Sequence, residues 1–92
     1  MRSARAVLIN KAGLHARSSA KLMEVAAKFS SDITVGAGSK QVSGKSILAL
    51  MMLAATCGTE LTLHAEGTDE DAAIEALLEL IADGFGELDQ SD

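Results

Sequence analysis

Two periodicities alternate along the chain. Residues 4–9 (ARAVLI) are a short, mostly apolar run stopped by NKAG, which reads as a strand and a turn. Residues 16–29 contain no breaker, and Leu22, Val25, Ala26 and Phe29 recur at i, i+3, i+4 and i+7, the apolar stripe of a helix. DITV, residues 32–35, is short and β-branched, and GAGSK bends it into KQVS, predicting a hairpin served by Gly36 and Gly38. After Ser46 the run ILALMMLAA is apolar on every side, so it is no simple amphipathic surface helix, and Gly58 closes it. ELTLHAE, residues 60–66, alternates Leu61, Leu63 and Ala65 against Thr62, His64 and Glu66, as a half-buried strand does. Thr68 and Asp71 stand at capping-box spacing before a helix striped by Ile74, Leu77, Leu78 and Ile81. The closing GFGELDQSD reads as a fraying end, with residues 89–92 an acidic tail outside a single domain at residues 1–88.

The predicted order is βαββαβα. Each helix has one apolar side to bury, so the expected class is α+β: a four-stranded antiparallel sheet covered on one face by three helices.

Size and composition narrow the function classes. Ninety-two residues make one domain that buries roughly two thirds of its unfolded surface. No window reaches a membrane span, and MRSARAVLIN lacks the pattern of a signal peptide, so a cytosolic location without membrane contact is expected. Cys57 is the lone cysteine and the two histidines are far apart, which leaves no disulfide, no metal set and no expected cofactor. With no Trp or Tyr, and only Phe29 and Phe85, the chain lacks the stacking platforms of nucleic-acid binders.

Charge adds an asymmetry. All eight basic residues lie at or before Lys45 against two acids, a balance of +6, while the remainder carries −11. The first half therefore presents surfaces suited to an anionic partner, unless the acids are simply a solvated helix and tail.

The chemistry gathers in GLHARSSAKL, residues 13–22. If the helix starts at Ala16, then His15 is its N-cap, and the amides of Ala16, Arg17 and Ser18 have no intrahelical acceptor. Those amides and the positive end of the helix dipole form an anion site. A neutral imidazole there is a nucleophile, and a nearby guanidinium offers planar donors to phosphate oxygens. Hydrolysis or isomerisation would want a paired carboxylate, a metal or a triad, and none is near His15 in sequence. On these residues alone, a surface cap histidine and a phosphoryl-carrying histidine both stand.

GLHARSSAKL resembles the active-site segment of HPr, the histidine-containing phosphocarrier of the bacterial phosphotransferase system, whose usual form reads GLHARPA. DITV, KSIL, CGTELTL and HAEGTDEDAAIEAL continue the resemblance in the family's order, up to the acidic tail. It implies an open-faced β-sandwich in which the δ nitrogen of His15 is phosphorylated and Arg17 stabilises the phosphate. It further implies enzyme I as donor, phosphoenolpyruvate as ultimate source, an enzyme IIA-type acceptor, and no small-molecule turnover by the chain itself. Ser18 departs from the family's proline. Serine restores an amide donor and adds a hydroxyl, making Ser18 a candidate phosphate contact at the cost of a looser first turn. A proline-free segment of this kind also resembles HPr-like proteins of a nitrogen-related regulatory branch.

GKSIL ends like a phosphate loop, but that pattern needs glycine where Ser39 stands. Ser46 reads instead as an N-cap. Within the resemblance it matches the serine that HPr kinase/phosphorylase modifies, and phosphate there would add charge to an apolar docking patch. That patch is Ile47, Leu48 and Met51, with Leu50 and Leu53 facing the core, although Met51 and Met52 are also a type that fills core gaps. Arg17, Lys21 and Lys45 form a basic rim that steers acidic partners. His64, on the polar side of its strand, reads as a bystander, and Cys57 as inert. A monomer suits repeated docking. The rivals are a regulatory binding module acting through Ser46 and a small autonomous enzyme.

Overall fold

The computed structural model describes residues 1–88. β1 (Arg2–Val7), α1 (Ala16–Ala26), β2 (Asp32–Ala37), β3 (Lys40–Ser43), α2 (Ile47–Met52), β4 (Glu60–Glu66) and α3 (Glu70–Ala82) follow in the predicted order. The four strands form one antiparallel sheet in the spatial order β1-β4-β2-β3. β1 and β2, joined through α1, are thus not neighbours. β4 fills the gap between them, pairing Ala4 with Leu63 on one side and Val35 with Leu63 on the other.

Side-chain alternation then assigns the two faces. Ile33, Val35, Leu61, Leu63 and Ala65 are buried beneath the helices, while Ser3, Thr34 and His64, which pair across β1, β4 and β2, lie on the opposite face. Leu22 and Ala26 of α1, Leu50 of α2, and Ile74, Leu77 and Ile81 of α3 complete the core. Each such leucine or isoleucine contributes about 1.5–3 kcal/mol by leaving water.

Four expectations are corrected. α1 ends at Ala26, and Phe29 packs against the core from the turn that follows. Leu50 and Leu53 are buried and Met51, read as facing outward, is 39% exposed; the alternative that the two methionines fill core gaps fails, Met52 being 67% exposed. A helix this short, lying over the edge of the core, offers it only the row containing Leu50 and Leu53.

The capping box at Thr68 does not form. α3 starts at Glu70, whose Oε1 accepts from the Gly67 amide at 3.1 Å, and Asp69 caps a different segment. Its carboxylate accepts from the Ser30 and Ser31 amides at 2.8 and 3.0 Å, and from both hydroxyls, tying the loop before β2 to the start of α3.

The last correction concerns the C-terminal end. Residues 84–88 do not fray: Gly84, Phe85 and Gly86 all have positive φ, at 62°, 58° and 73°. Only glycine takes that region without steric cost, which explains the two glycines, and the left-handed turn reverses the chain so that Phe85 enters the core, 1% exposed. The expected frayed acidic tail, residues 89–92, lies outside the described residues.

Candidate functional site

His15 is the N-cap of α1, in extended backbone at φ −121° and ψ −171°. The first intrahelical bond is Ser19 N–H to the His15 carbonyl, 2.8 Å, so the amides of Ala16, Arg17 and Ser18 precede the helix ladder. The loop carrying the ring is braced from below. The Leu14 amide donates to the Ala55 carbonyl at 2.9 Å, and Gly13, at φ +66°, sits so close that a Cβ there would lie 2.4 Å from that same oxygen. Glycine is required at 13 on both counts. The contact seats the His15 loop against the chain leaving α2.

Ser18 does locally what proline does by ring closure. Its hydroxyl is buried, donates to the Gly13 carbonyl at 2.7 Å and accepts from the His15 amide at 3.0 Å, which fixes the first turn. The His15 side chain faces the Ser18 amide without closing a formal hydrogen bond to it. The hydroxyl is engaged by the loop, so the backbone amide is the part of Ser18 turned to the helix start.

A carboxylate, absent from the surrounding sequence, arrives from the other end of the chain. His15 Nε2 lies 3.0 and 3.2 Å from the two Glu87 oxygens, its ring 35% exposed and the Glu87 side chain only 8%. A carboxylate only accepts, so Nε2 carries the hydrogen and Nδ1 is the nitrogen with the free electron pair. Glu87 Oε1 also accepts from Asn10 Nδ2 at 3.0 Å, and that fully buried amide donates to the Gly13 carbonyl at 2.8 Å. Lys21 Nζ donates to the Phe85 carbonyl at 2.6 Å, pinning the turn that presents Glu87. Burial pushes the Glu87 carboxyl up, but the hydrogen bonds from Asn10 and His15, and the nearby charges of His15 and Lys21, hold it below the ordinary carboxylate value. It is therefore an anion at neutral pH.

Sequence reasoning missed Glu87, Asn10 and Phe85. The one signal was an aromatic residue bracketed by glycines in an otherwise polar tail, a pattern suited to a packed turn.

The other expected residues divide. Arg17 is exposed on the first turn of α1. Lys21 is half-buried beside the Glu87 turn, whereas Lys45 Nζ donates to the Phe29 carbonyl at 2.8 Å, beyond the far end of α1 from His15. Lys45 thus lies at the opposite end of that helix from Arg17, with Lys21 midway along it. Ser46 caps α2, its hydroxyl accepting from the Ala49 amide at 3.2 Å. Ile47, Leu48, Met51 and Met52 form an exposed apolar strip, 36% to 71% accessible, on α2, whose far end abuts the His15 loop. His64 Nδ1 is hydrogen-bonded to Ser3 Oγ at 2.7 Å across β1 and β4, on the sheet face away from this site. Cys57 is exposed. Among the described residues, no helix is long and apolar enough to cross a membrane.

An open-faced sandwich with a histidine at a helix start beside an exposed apolar strip is the architecture of a carrier protein, and the comparisons with known proteins agree. The family model described as the PTS HPr component phosphorylation site matches residues 2–83, and the chain belongs to the HPr family, the phosphocarriers of the phosphotransferase system. The phosphocarrier protein HPr of Cupriavidus necator is 51% identical over 80 residues, 87% of this chain and 90% of that protein. HPr from Thermoanaerobacter tengcongensis superposes with a TM-score of 0.91 at 45% identity, covering 95% of this chain and 98% of the other. An HPr dimer from the same organism, also 45% identical, gives 0.76 over 95% and 100% of the two chains.

Proposed function

We propose that His15 takes a phosphoryl group from enzyme I, with phosphoenolpyruvate as ultimate source, and passes it to an enzyme IIA-type acceptor. The observation that carries this reading is the orientation of the imidazole, with Nε2 on Glu87 and the free pair of Nδ1 left for the start of α1. Nδ1 is the nucleophile. The amides of Ala16, Arg17 and Ser18, the helix dipole and the Arg17 guanidinium receive the phosphate oxygens. Lys21 adds positive charge near the acceptor nitrogen.

Docking uses the exposed apolar strip of Ile47, Leu48 and Met51, with Arg17, Lys21 and Lys45 as cationic elements around it that steer acidic partners. The chain acts as a cytosolic monomer, since successive partners need the same face free. Ser46 is the regulatory position: phosphate added there by an HPr kinase/phosphorylase places two negative charges beside Ile47 and Leu48 and weakens docking.

The test incubates the purified chain with phosphoenolpyruvate and enzyme I, then follows intact mass. One added phosphoryl group that is lost in mild acid, and is absent from His15→Ala, is expected. Loading that persists in His15→Ala would overturn the assignment.

A further inference from the structure

Phosphoryl transfer from a histidine depends on where the ring keeps its second hydrogen. A ring bonded to phosphorus through Nδ1 departs as neutral imidazole only if Nε2 is protonated; otherwise it must depart as imidazolate, a far stronger base. The proton on Nε2 therefore sets the leaving ability of the carrier.

Glu87 is built to hold that proton. Both carboxylate oxygens lie within 3.2 Å of Nε2, and the side chain is 92% removed from solvent. It does not swing away: Oε1 is bonded to Asn10, itself fully buried and bonded to Gly13, while Phe85 in the core and Lys21 on the Phe85 carbonyl anchor the backbone. Among the described residues, the other charged groups beside the pair are Lys21 of α1 and Asp83, the C-cap of α3 near Lys21. Burial against water strengthens the attraction between carboxylate and imidazolium.

We propose that Glu87 is a positioning residue that keeps the proton on Nε2 through both halves of the carrier cycle, so that His15 accepts and releases phosphoryl groups without exchanging a proton with solvent. The inference rests on the carrier reading of His15. On loading, the Nδ1 pair forms the bond to phosphorus while the donor's bond to phosphorus breaks, its pair returning to the donor; the ring becomes an imidazolium facing Glu87. On unloading, the acceptor's pair forms the new bond, the Nδ1 pair returns to the ring, and the hydrogen never leaves Nε2.

Two measurements test it, and the first fails independently of the carrier reading. The first is the ¹⁵N spectrum of the His15 ring in the unphosphorylated wild-type chain above pH 8, which needs no variant and no partner. A ring protonated at Nε2 is expected; one protonated at Nδ1 overturns the proposal. The second loads wild type and Glu87→Gln chemically with phosphoramidate and measures single-turnover transfer to an enzyme IIA-type acceptor from pH 6 to 9.5. Glutamine keeps the size and hydrogen-bonding reach but removes the charge. Removing the charge weakens the hydrogen bond that retains the Nε2 hydrogen, so the wild-type rate stays level to higher pH than the variant's and exceeds it roughly tenfold at the alkaline end. Superimposable pH profiles overturn the proposal. Failure of enzyme I to load a chain whose ring shows the Nε2–H form would instead strike only the carrier reading.

Discussion

Replacing Phe85 probes the core and the left-handed turn together. Its ring is 1% exposed and sits in the cluster with Leu22, Ile74, Leu77 and Ile81. Truncation to alanine forfeits the transfer energy of the ring and leaves a cavity, about 3–5 kcal/mol. A domain of this length has about 5–14 kcal/mol in total, so Phe85→Ala loses between about a fifth and all of it. The backbone gives a second, sharper number. At φ 58° and ψ 25° a residue with a Cβ carries about 1–2 kcal/mol of strain, which alanine keeps and glycine sheds. Glycine returns about 0.4–1 kcal/mol of this through the extra freedom of its unfolded chain. Phe85→Gly is therefore expected to equal Phe85→Ala or exceed it by up to about 1.5 kcal/mol, the reverse of the order in a helix or strand. Urea denaturation followed by far-ultraviolet circular dichroism measures both differences. A Phe85→Ala loss under about 1 kcal/mol would refute the buried ring, and a Phe85→Gly variant clearly weaker than Phe85→Ala would refute the left-handed turn.

Two further outcomes are expected. Gly13→Ala suffers the φ +66° backbone, about 1–2 kcal/mol, and in addition a Cβ 2.4 Å from the Ala55 carbonyl oxygen; it lowers the thermal midpoint and slows loading of His15 by enzyme I, measured by differential scanning calorimetry and intact mass. The Asp69 carboxyl is held at about 2, against an ordinary 3.8, chiefly by the Ser31 hydroxyl, then by the Ser30 amide, with desolvation opposing and the Ser31 amide and Ser30 hydroxyl adding to the fall. Across that window the unfolded chain binds the extra proton, so the Asp69 contribution is complete above about pH 4 and is lost as the pH falls toward 2; acid unfolding of Asp69→Asn should be shallower over the same range. An unchanged acid limb would count against the Ser30–Asp69 clasp.

Much of the fold was legible because each element satisfied one local rule. The stripe through Leu22, Val25 and Ala26, the alternation in residues 60–66 and the glycines of the hairpin each needed only near neighbours. His15 as a cap was legible for the same reason: the helix signal begins immediately after it. What escaped depends on juxtaposition. No period announces that β4 sits between β1 and β2, that Asp69 turns from its own helix to a loop at residues 30–31, or that Glu87 reaches a ring near the other end of the sequence. Met52 escaped differently, since an all-apolar run does not say how wide a side is left outside. Ser18 was read as a candidate phosphate contact through its restored amide and added hydroxyl, and what its type did not tell is that the hydroxyl has two partners in the loop.

The carboxylate that completes the site follows its histidine by 72 residues, and on a ribosome that separation is an interval. At about 5–20 residues per second, roughly 4–14 s pass between synthesis of the ring and synthesis of its proton holder. During it the nascent chain carries a bare histidine whose hydrogen is free to settle on either nitrogen. The unfinished carrier thus holds its ring differently from the finished one, and the proposed hold on the Nε2 hydrogen arrives with the turn at residues 84–87 rather than growing with length.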